Sequence, residues 1–202
     1  MIGIIDYGMG NLRSVENALK HLDLSCVISE DQDVLSSCDH LILPGVGSFN
    51  DCMTSLENRN LKEFTKAEVE KGKPLLGICL GMQMLFEESE ENGVHAGFGF
   101  LKGRVVLMED PDVRIPEIGW NELEWQNHLS LMDLYEKNPY VYYVHSYYAK
   151  GYEDSDLYGY STYGSLKVPG LVKHGNVMGT QFHPEKSGEE GLKMLKWFAE
   201  VM

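Results

Sequence analysis

The sequence predicts an α/β fold: a mostly parallel twisted sheet flanked by helices, with added antiparallel strands in the second half. Three observations predict it. In the first half, short apolar runs alternate with segments of helical period, and the runs stop at glycine-bearing turns. From about 97 to 182, β-type runs follow one another, separated by Gly, Pro, Asp and Asn. No internal repeat, low-complexity tract or linker divides the chain, so residues 1–202 are expected to form one domain.

Residues 2–6 are a first apolar strand that stops in Tyr7-Gly8-Met9-Gly10-Asn11. Leu12, Val15, Leu19 and Leu22 then recur at spacings of three and four, one face of an amphipathic helix. A strand over 40–43 runs into Pro44-Gly45-Val46-Gly47-Ser48, and a polar helix around Leu61, Phe64 and Glu68 ends near Lys71-Gly72. Residues 74–79 are the third strand of this type, and 80–87 the helix after it. The acidic run Glu87-Glu88-Ser89-Glu90-Glu91 reads as the solvated end of that helix. In the second half, runs at 103–108, 140–145, 157–162 and 177–182 suggest hairpins, and 188–202 closes the chain as a helix. Nine of the 11 tyrosines lie between Tyr140 and Tyr163. They fit cross-strand pairs on half-buried strands, or an aromatic binding face.

Composition narrows the function classes. Seventeen basic against 31 acidic side chains leave a formal net charge of −14 over 202 residues. Such a surface repels phosphate backbones, so no nucleic-acid partner is expected. No apolar run approaches the roughly 18 residues of a membrane helix, so no membrane partner is expected either. Residues 1–6 lack a basic region and meet an acid too early for a signal peptide. Cys26, Cys38, Cys52 and Cys79 show neither paired nor metal-type spacing, which suits reduced thiols in a cytoplasmic location. The histidines other than His183 have no ligand spacing. No metal and no cofactor is expected.

The sharpest local signal is Gly77-Ile78-Cys79-Leu80-Gly81, a nucleophile elbow with Cys at its centre. A strand that turns abruptly into a helix needs glycines on either side of the bend. The helix N-terminus beside Cys79 favours a thiolate. About a hundred residues on, Gln181-Phe182-His183-Pro184-Glu185-Lys186 supplies a base and a carboxylate. Pro184 biases this stretch to extended backbone, which would put His183 and Glu185 side by side. A Cys nucleophile needs such an oriented base. In a parallel sheet the loops at the carboxyl ends of neighbouring strands converge. Backbone N–H groups at Val46 and Gly47, with that of Leu80, are therefore candidates for an oxyanion hole opposite Cys79.

Taken together these stretches resemble the class I (triad-type) glutamine amidotransferases, over essentially the whole chain. Within that family the opening Asp6-Tyr7-Gly8-Met9-Gly10-Asn11 and Gly119-Trp120-Asn121 are similar to the glutaminase subunits of imidazole glycerol phosphate synthase. The resemblance implies Cys79 as nucleophile, His183 as general acid/base and Glu185 as the residue that orients it. It implies a glutamine pocket at Gln83, Glu91, Ser146 and Tyr147, with Glu91 against the substrate's α-ammonium. It further implies hydrolysis of L-glutamine to glutamate and ammonia through a Cys thioester. The ammonia would feed a (β/α)8-barrel cyclase partner, in a heterodimer, that makes imidazole glycerol phosphate and AICAR in histidine biosynthesis. Asn11, Trp120, Asn121 and Lys186 fall where the family meets this partner. Two alternatives share the scaffold: a paralogous glutaminase feeding another synthase, for example in surface-sugar amidation, and a stand-alone cysteine hydrolase. A binding module without turnover would not need all three triad residues.

Overall fold

The first strands are short and apolar because helices cover both of their faces. A computed structural model describes residues 1–202. In chain order it begins β1 (Ile2–Ile5), α1 (Leu12–His21), β2 (Cys26–Ser29), α2 (Gln32–Ser36), β3 (His40–Gly45), α3 (Phe49–Asn58), α4 (Leu61–Glu70), β4 (Leu75–Cys79) and α5 (Leu80–Met84). It continues with β5 (Phe86–Ser89), β6 (His95–Ala96), β7 (Leu101–Leu107), β8 (Glu117–Glu122), β9 (Glu124–Trp125), β10 (Tyr140–His145) and β11 (Tyr147–Lys150). It ends with β12 (Leu157–Tyr163), β13 (Leu166–His174), β14 (Val177–Thr180) and α6 (Gly188–Val201).

Eight strands form the main sheet in the order β2-β1-β3-β4-β14-β13-β12-β9. The first five run parallel, and β13, β12 and β9 continue the sheet antiparallel. Strand alternation sorts the core into two layers. Ile5, Leu41, Leu43 and Leu75 face α3, α4 and α5, where Phe49, Leu56, Leu61 and Met82 close over them. Ile4, Ile42, Leu76 and Ile78 face α1 and α6, meeting Val15, Leu19, Leu195 and Phe198. A four-stranded sheet, β11-β7-β5-β6, packs into the first of these layers through Phe86, Leu101, Val105 and Ala149, and a β8–β10 ribbon packs into the second through Val141 and Tyr143. No helix is long and apolar enough to cross a membrane.

The predicted fold class holds, with local corrections. The helix after the elbow ends at Met84, not at 87, and Glu87 and Glu88 lie in β5 rather than at a solvated helix end. Phe86 and Ser89 of that strand are buried, between and beside the glutamates that made the stretch read as solvated. Two helices escaped the sequence reading. Asp31 caps α2 by accepting from Asp33 N–H and Val34 N–H, and Ser48 caps α3 by accepting from Asp51 N–H. The tyrosines do not share one environment. Tyr143 is buried with its hydroxyl on Ser161, whereas Tyr140 is exposed and Tyr142 meets Trp120 edge-on.

One buried charge holds the α2–α4 corner. The Glu68 carboxylate is only 4% exposed and takes Lys71 Nζ and Lys73 Nζ, each at 2.6 Å, with Ser36 Oγ at 3.1 Å. Burial works against its charge, but the two lysines and the serine outweigh this and hold its pKa down at about 2. An ordinary glutamate titrates near 4.5, so this group's stabilisation is whole above that pH and is lost as pH falls through about 2. Glu68→Gln should cost about 3 kcal/mol at neutral pH in urea unfolding, because two lysines lose their anion. The variant should also lose less further stability on acidification than the parent; parallel pH curves would refute this account.

Candidate active site

Cys79 sits where β4 turns into α5, with φ 57° and ψ −112°. This lies outside even the small left-handed helical region and costs a non-glycine residue about 1–3 kcal/mol. The glycines explain how it is tolerated. A Cβ on Gly81 would fall 1.9 Å from the Leu43 carbonyl oxygen, and one on Gly77 would fall 2.6 Å from the Gly81 carbonyl oxygen. One on Gly45 would fall 2.5 Å from the Gly81 backbone nitrogen. Strands β3 and β4 and the start of α5 are thus packed backbone on backbone. Gly45 and Cys79 are register partners, so the turn after β3 opens beside the sulfur.

His183 reaches the same point from the end of β14. Its backbone N–H donates to the Tyr142 carbonyl at 2.9 Å, and its carbonyl accepts from Ser187 Oγ at 2.6 Å. Ser187 Oγ in turn accepts from Tyr142 N–H at 2.9 Å, which ties β10 to this turn. The expected extended path through Glu185 is not what forms: Pro184–Lys186 is a single 3-10 turn, and only His183 is extended. Proline at the first helical position starts that turn as readily as it would enforce extension. The pairing survives, with His183 Nδ1 2.8 Å from Glu185 Oε1 and both side chains sealed from solvent. Burial alone would push the imidazole pKa down. Hydrogen bonds and charge from Cys79 and Glu185 outweigh it and raise the pKa to about 9. The ring is therefore a cation at neutral pH beside the sulfur, the setting in which cysteine acts as a nucleophile.

A cleft of about 380 Å³ opens over Cys79 and His183. Val46, Gly47, Leu80, Gln83, Glu91, Ser146, Tyr147 and Lys186 all line it. Val46 is 41% exposed, and its carbonyl accepts from the buried Cys52 thiol at 3.4 Å. In a trans peptide the following N–H points the opposite way, so Gly47 N–H is turned out of the core. Gln83 spends both amide hydrogens inside the protein, on the Tyr147 carbonyl at 2.9 Å and Gln181 Oε1 at 3.0 Å. It can offer a ligand only its carbonyl oxygen. Glu91 is anchored by Phe49 N–H at 2.7 Å, at the start of α3.

The four residues expected at a partner face are less uniform. Trp120 stands out at 55% exposed, on one face of the β8–β10 ribbon with the exposed Ile118 and Tyr140. Lys186 is exposed at the cleft's edge. Asn11 precedes α1 and lines a small crevice behind His183. Asn121 points the other way from Trp120, donating to Glu117 Oε1 and the Thr162 carbonyl. Sequence reasoning missed Gln181, whose Nε2 lies 3.9 Å from Cys79 Sγ, and Cys52 under the glycine turn. Gln181 was visible as part of the histidine stretch; nothing in the sequence set Cys52 apart from the other thiols. No three His, Cys, Asp or Glu side chains converge as a metal site.

Comparison with known proteins agrees with this geometry. The family model of class-I glutamine amidotransferases matches residues 3–201. The imidazole glycerol phosphate synthase subunit HisH of Bacillus licheniformis is 48% identical, covering 99% of this chain and 96% of that protein. HisH of Bacillus mycoides is 50% identical, with coverage of 100% and 95%, and that of Caldanaerobacter subterraneus 47%, with 100% and 98%. Among solved structures, a glutamine amidotransferase superposes with a TM-score of 0.77 at 21% identity, covering 98% of this chain and 97% of that one, a likeness of fold. The chain therefore belongs to the class I glutamine amidotransferases, in the HisH branch of that family.

Proposed function

We propose that this chain is a single-domain glutaminase, residues 1–202, that supplies ammonia to a (β/α)8-barrel cyclase in histidine biosynthesis. The observation that carries the reading is the buried Cys79–His183–Glu185 set at the elbow, with His183 Nδ1 2.8 Å from Glu185 Oε1 and both side chains sealed from solvent. The full-length likeness to HisH subunits favours this partner over a surface-sugar synthase or a stand-alone hydrolase. Free thiols at all four cysteines suit a reducing, cytoplasmic setting.

The steps follow from proton positions. The Cys79 thiolate adds to the side-chain amide carbon of glutamine, and the carbonyl electrons become an oxyanion. N–H groups of Gly47 or Val46 and of Leu80 stabilise that charge, one donor being worth about 3 kcal/mol. The imidazolium of His183 gives its proton to the departing amine, ammonia leaves, and a thioester remains. The neutral His183 then deprotonates a water, which adds to the thioester. Collapse expels the thiolate, frees glutamate and restores the imidazolium. Glu185 keeps Nδ1 protonated and stabilises the ring's charge. In this reading the Gln83 oxygen accepts from the substrate and the Glu91 carboxylate meets its α-ammonium, a role supported by their place, with Ser146 and Tyr147, in the lining of the cleft.

The face bearing Ile118, Trp120 and Tyr140 suits a docked subunit, because an exposed tryptophan beside other apolar side chains is a common hot spot. Ammonia released into water is protonated, so turnover is useful only when a partner receives it. The exposed glycine turn at Val46 is the natural point of control, since one peptide orientation sets its donor.

Cys79→Ser should abolish glutamine hydrolysis with the fold intact, and a glutamine-like electrophile should label Cys79 while sparing Cys26, Cys38 and Cys52. Even labelling of the four thiols would refute the assignment.

The His183 ring should titrate near pH 9 by NMR, and hydrolysis should decline through that range as the proton donor is lost. Because its pKa is raised from an ordinary 6.5, the pair's stabilisation is whole below that pH and is lost as pH rises through about 9. Glu185→Gln should move the titration down and keep some activity, whereas His183→Ala should keep almost none. An unmoved titration would remove Glu185 from its role.

Trp120→Ala should weaken cyclase binding at least about tenfold in a titration that follows glutamate release, with little change in melting temperature. In the parent protein, cyclase and its nucleotide ligand together should raise hydrolysis by roughly a hundredfold or more, the worth of one oxyanion donor. Full activity of the isolated chain would contradict the control point.

A further inference from the structure

Gln181 follows β14, two residues before His183, and is wholly buried, yet the glutaminase steps leave it unused. Its backbone N–H donates to the Gly170 carbonyl at 2.9 Å, which fastens it to β13. A buried amide needs partners for its oxygen and for its nitrogen. The oxygen accepts from Gln83 Nε2 at 3.0 Å, and the nitrogen donates toward Cys79 Sγ at 3.9 Å. One buried side chain therefore joins the nucleophile to Gln83, which stands one helical turn beyond Cys79 on α5.

An amide turned over exchanges its donor for its acceptor, so the sense of each of these two decides what it can do. The far end of the chain fixes both. Gln83 Nε2 also donates to the Tyr147 carbonyl at 2.9 Å, and a backbone carbonyl can only accept. Turned over, Gln83 would set its own oxygen against that carbonyl, two acceptors opposed in a buried site. With Gln83 fixed in this sense, its second hydrogen meets Gln181, which must present its oxygen there and its amide hydrogens to the sulfur. No protein group donates to the Gln83 oxygen, which is left for the cleft. We propose that Gln181 is a positioning residue: it locks Gln83 as an acceptor toward the substrate and aims an N–H at the Cys79 sulfur.

For binding, the lock removes a choice. A glutamine side chain free to turn offers a ligand either a donor or an acceptor; a locked one offers only the acceptor, which selects a substrate group that carries N–H. For chemistry, the aimed N–H acts late. Charge returns to the sulfur when the second tetrahedral intermediate collapses and expels the thiolate, and a hydrogen bond strengthens as its acceptor becomes charged. The Gln181 donor therefore assists that expulsion, a gain made in the transition state rather than on the free thiol.

This role rests on the glutaminase reading for its ligand and its turnover; the sense of the two amides does not. Calorimetry on a Cys79→Ala chain, which cannot form the thioester, measures glutamine binding alone. Adding Gln181→Met, which removes both ends of the amide, should raise the dissociation constant about tenfold, the worth of one hydrogen bond. Gln181→Glu keeps an acceptor for Gln83 and should bring it back to within about threefold of the control, although a carboxylate is the harder group to bury. A packing role alone would favour the methionine. In chains that keep Cys79, assayed with the cyclase bound, Gln181→Glu sets an oxygen where the N–H met the sulfur, and kcat should fall at least about tenfold. Unchanged affinity in the methionine variant, or a glutamate variant that binds no better than it, would overturn the lock. An unchanged kcat in Gln181→Glu would overturn the contact with sulfur. Should these variants fail to fold, nuclear Overhauser contacts in the parent chain decide: the Gln181 amide hydrogens should meet the Cys79 β-hydrogens, and absence of that contact would overturn the proposal. A parent complex that does not hydrolyse glutamine would count against the glutaminase reading instead, leaving the same contacts to judge Gln181.

Discussion

The site depends on one backbone constraint, the close packing of β3, β4 and the start of α5 around Cys79. Strain at φ 57° and ψ −112° persists only where the surroundings leave no relaxed alternative. Here they leave none, because Gly45, Gly77 and Gly81 bring backbone against backbone with no room for a Cβ. The same packing places the glycine turn after β3 beside the sulfur through the Gly45–Cys79 register. Cys79 and the candidate oxyanion donors are thus set by one arrangement of three backbones.

The histidine is fixed by a different device. Its backbone is held from both sides, by the Tyr142 carbonyl and by Ser187 Oγ, and its ring by Glu185. Ser187 Oγ also receives Tyr142 N–H, so the β10 strand and the His183 turn cannot shift independently. Carboxylate and sulfur both favour the charged ring, and together they overcome the cost of burying it. Local electrostatics in a sealed site therefore set the proton inventory that acyl transfer requires, although the chain as a whole is strongly acidic.

Much of this was legible in the sequence, for physical reasons that differ by element. The strands around the elbow read clearly because they are covered on both faces and so are apolar throughout, as at 75–79. The elbow read clearly because steric demand leaves glycine little substitute. The helix over 49–58 did not, since its buried residues Phe49, Cys52, Met53 and Leu56 are interrupted by polar ones and its cap lies in a glycine turn. The strand over 86–89 was masked by paired glutamates on its outer side. Pairing of His183 with Glu185 was expected from extended backbone, yet a 3-10 turn achieves it. Proline restricts φ in both conformations, and only tertiary contacts choose between them. Partners across the fold, such as Glu117 with His145, leave no local signature at all.

The β8–β10 ribbon joins two tasks in one strand's thickness. Alternation puts Ile118 and Trp120 with Tyr142 and Val144 on the outer face, and Glu117 with Tyr143 and His145 on the inner one. Ile118, Trp120 and Val144 are exposed on the outside, whereas on the inside the His145 ring reaches the Tyr147 carbonyl that also accepts from Gln83. Tyr142 shows the coupling at a single residue. Its ring meets Trp120 outside, while its backbone carbonyl and N–H hold His183 and Ser187 inside. A subunit pressed on the outer face would bear on the strand whose backbone holds His183, with no intervening layer between them. Rigid pleated backbone transmits such a load directly, because moving one face of a strand moves the other.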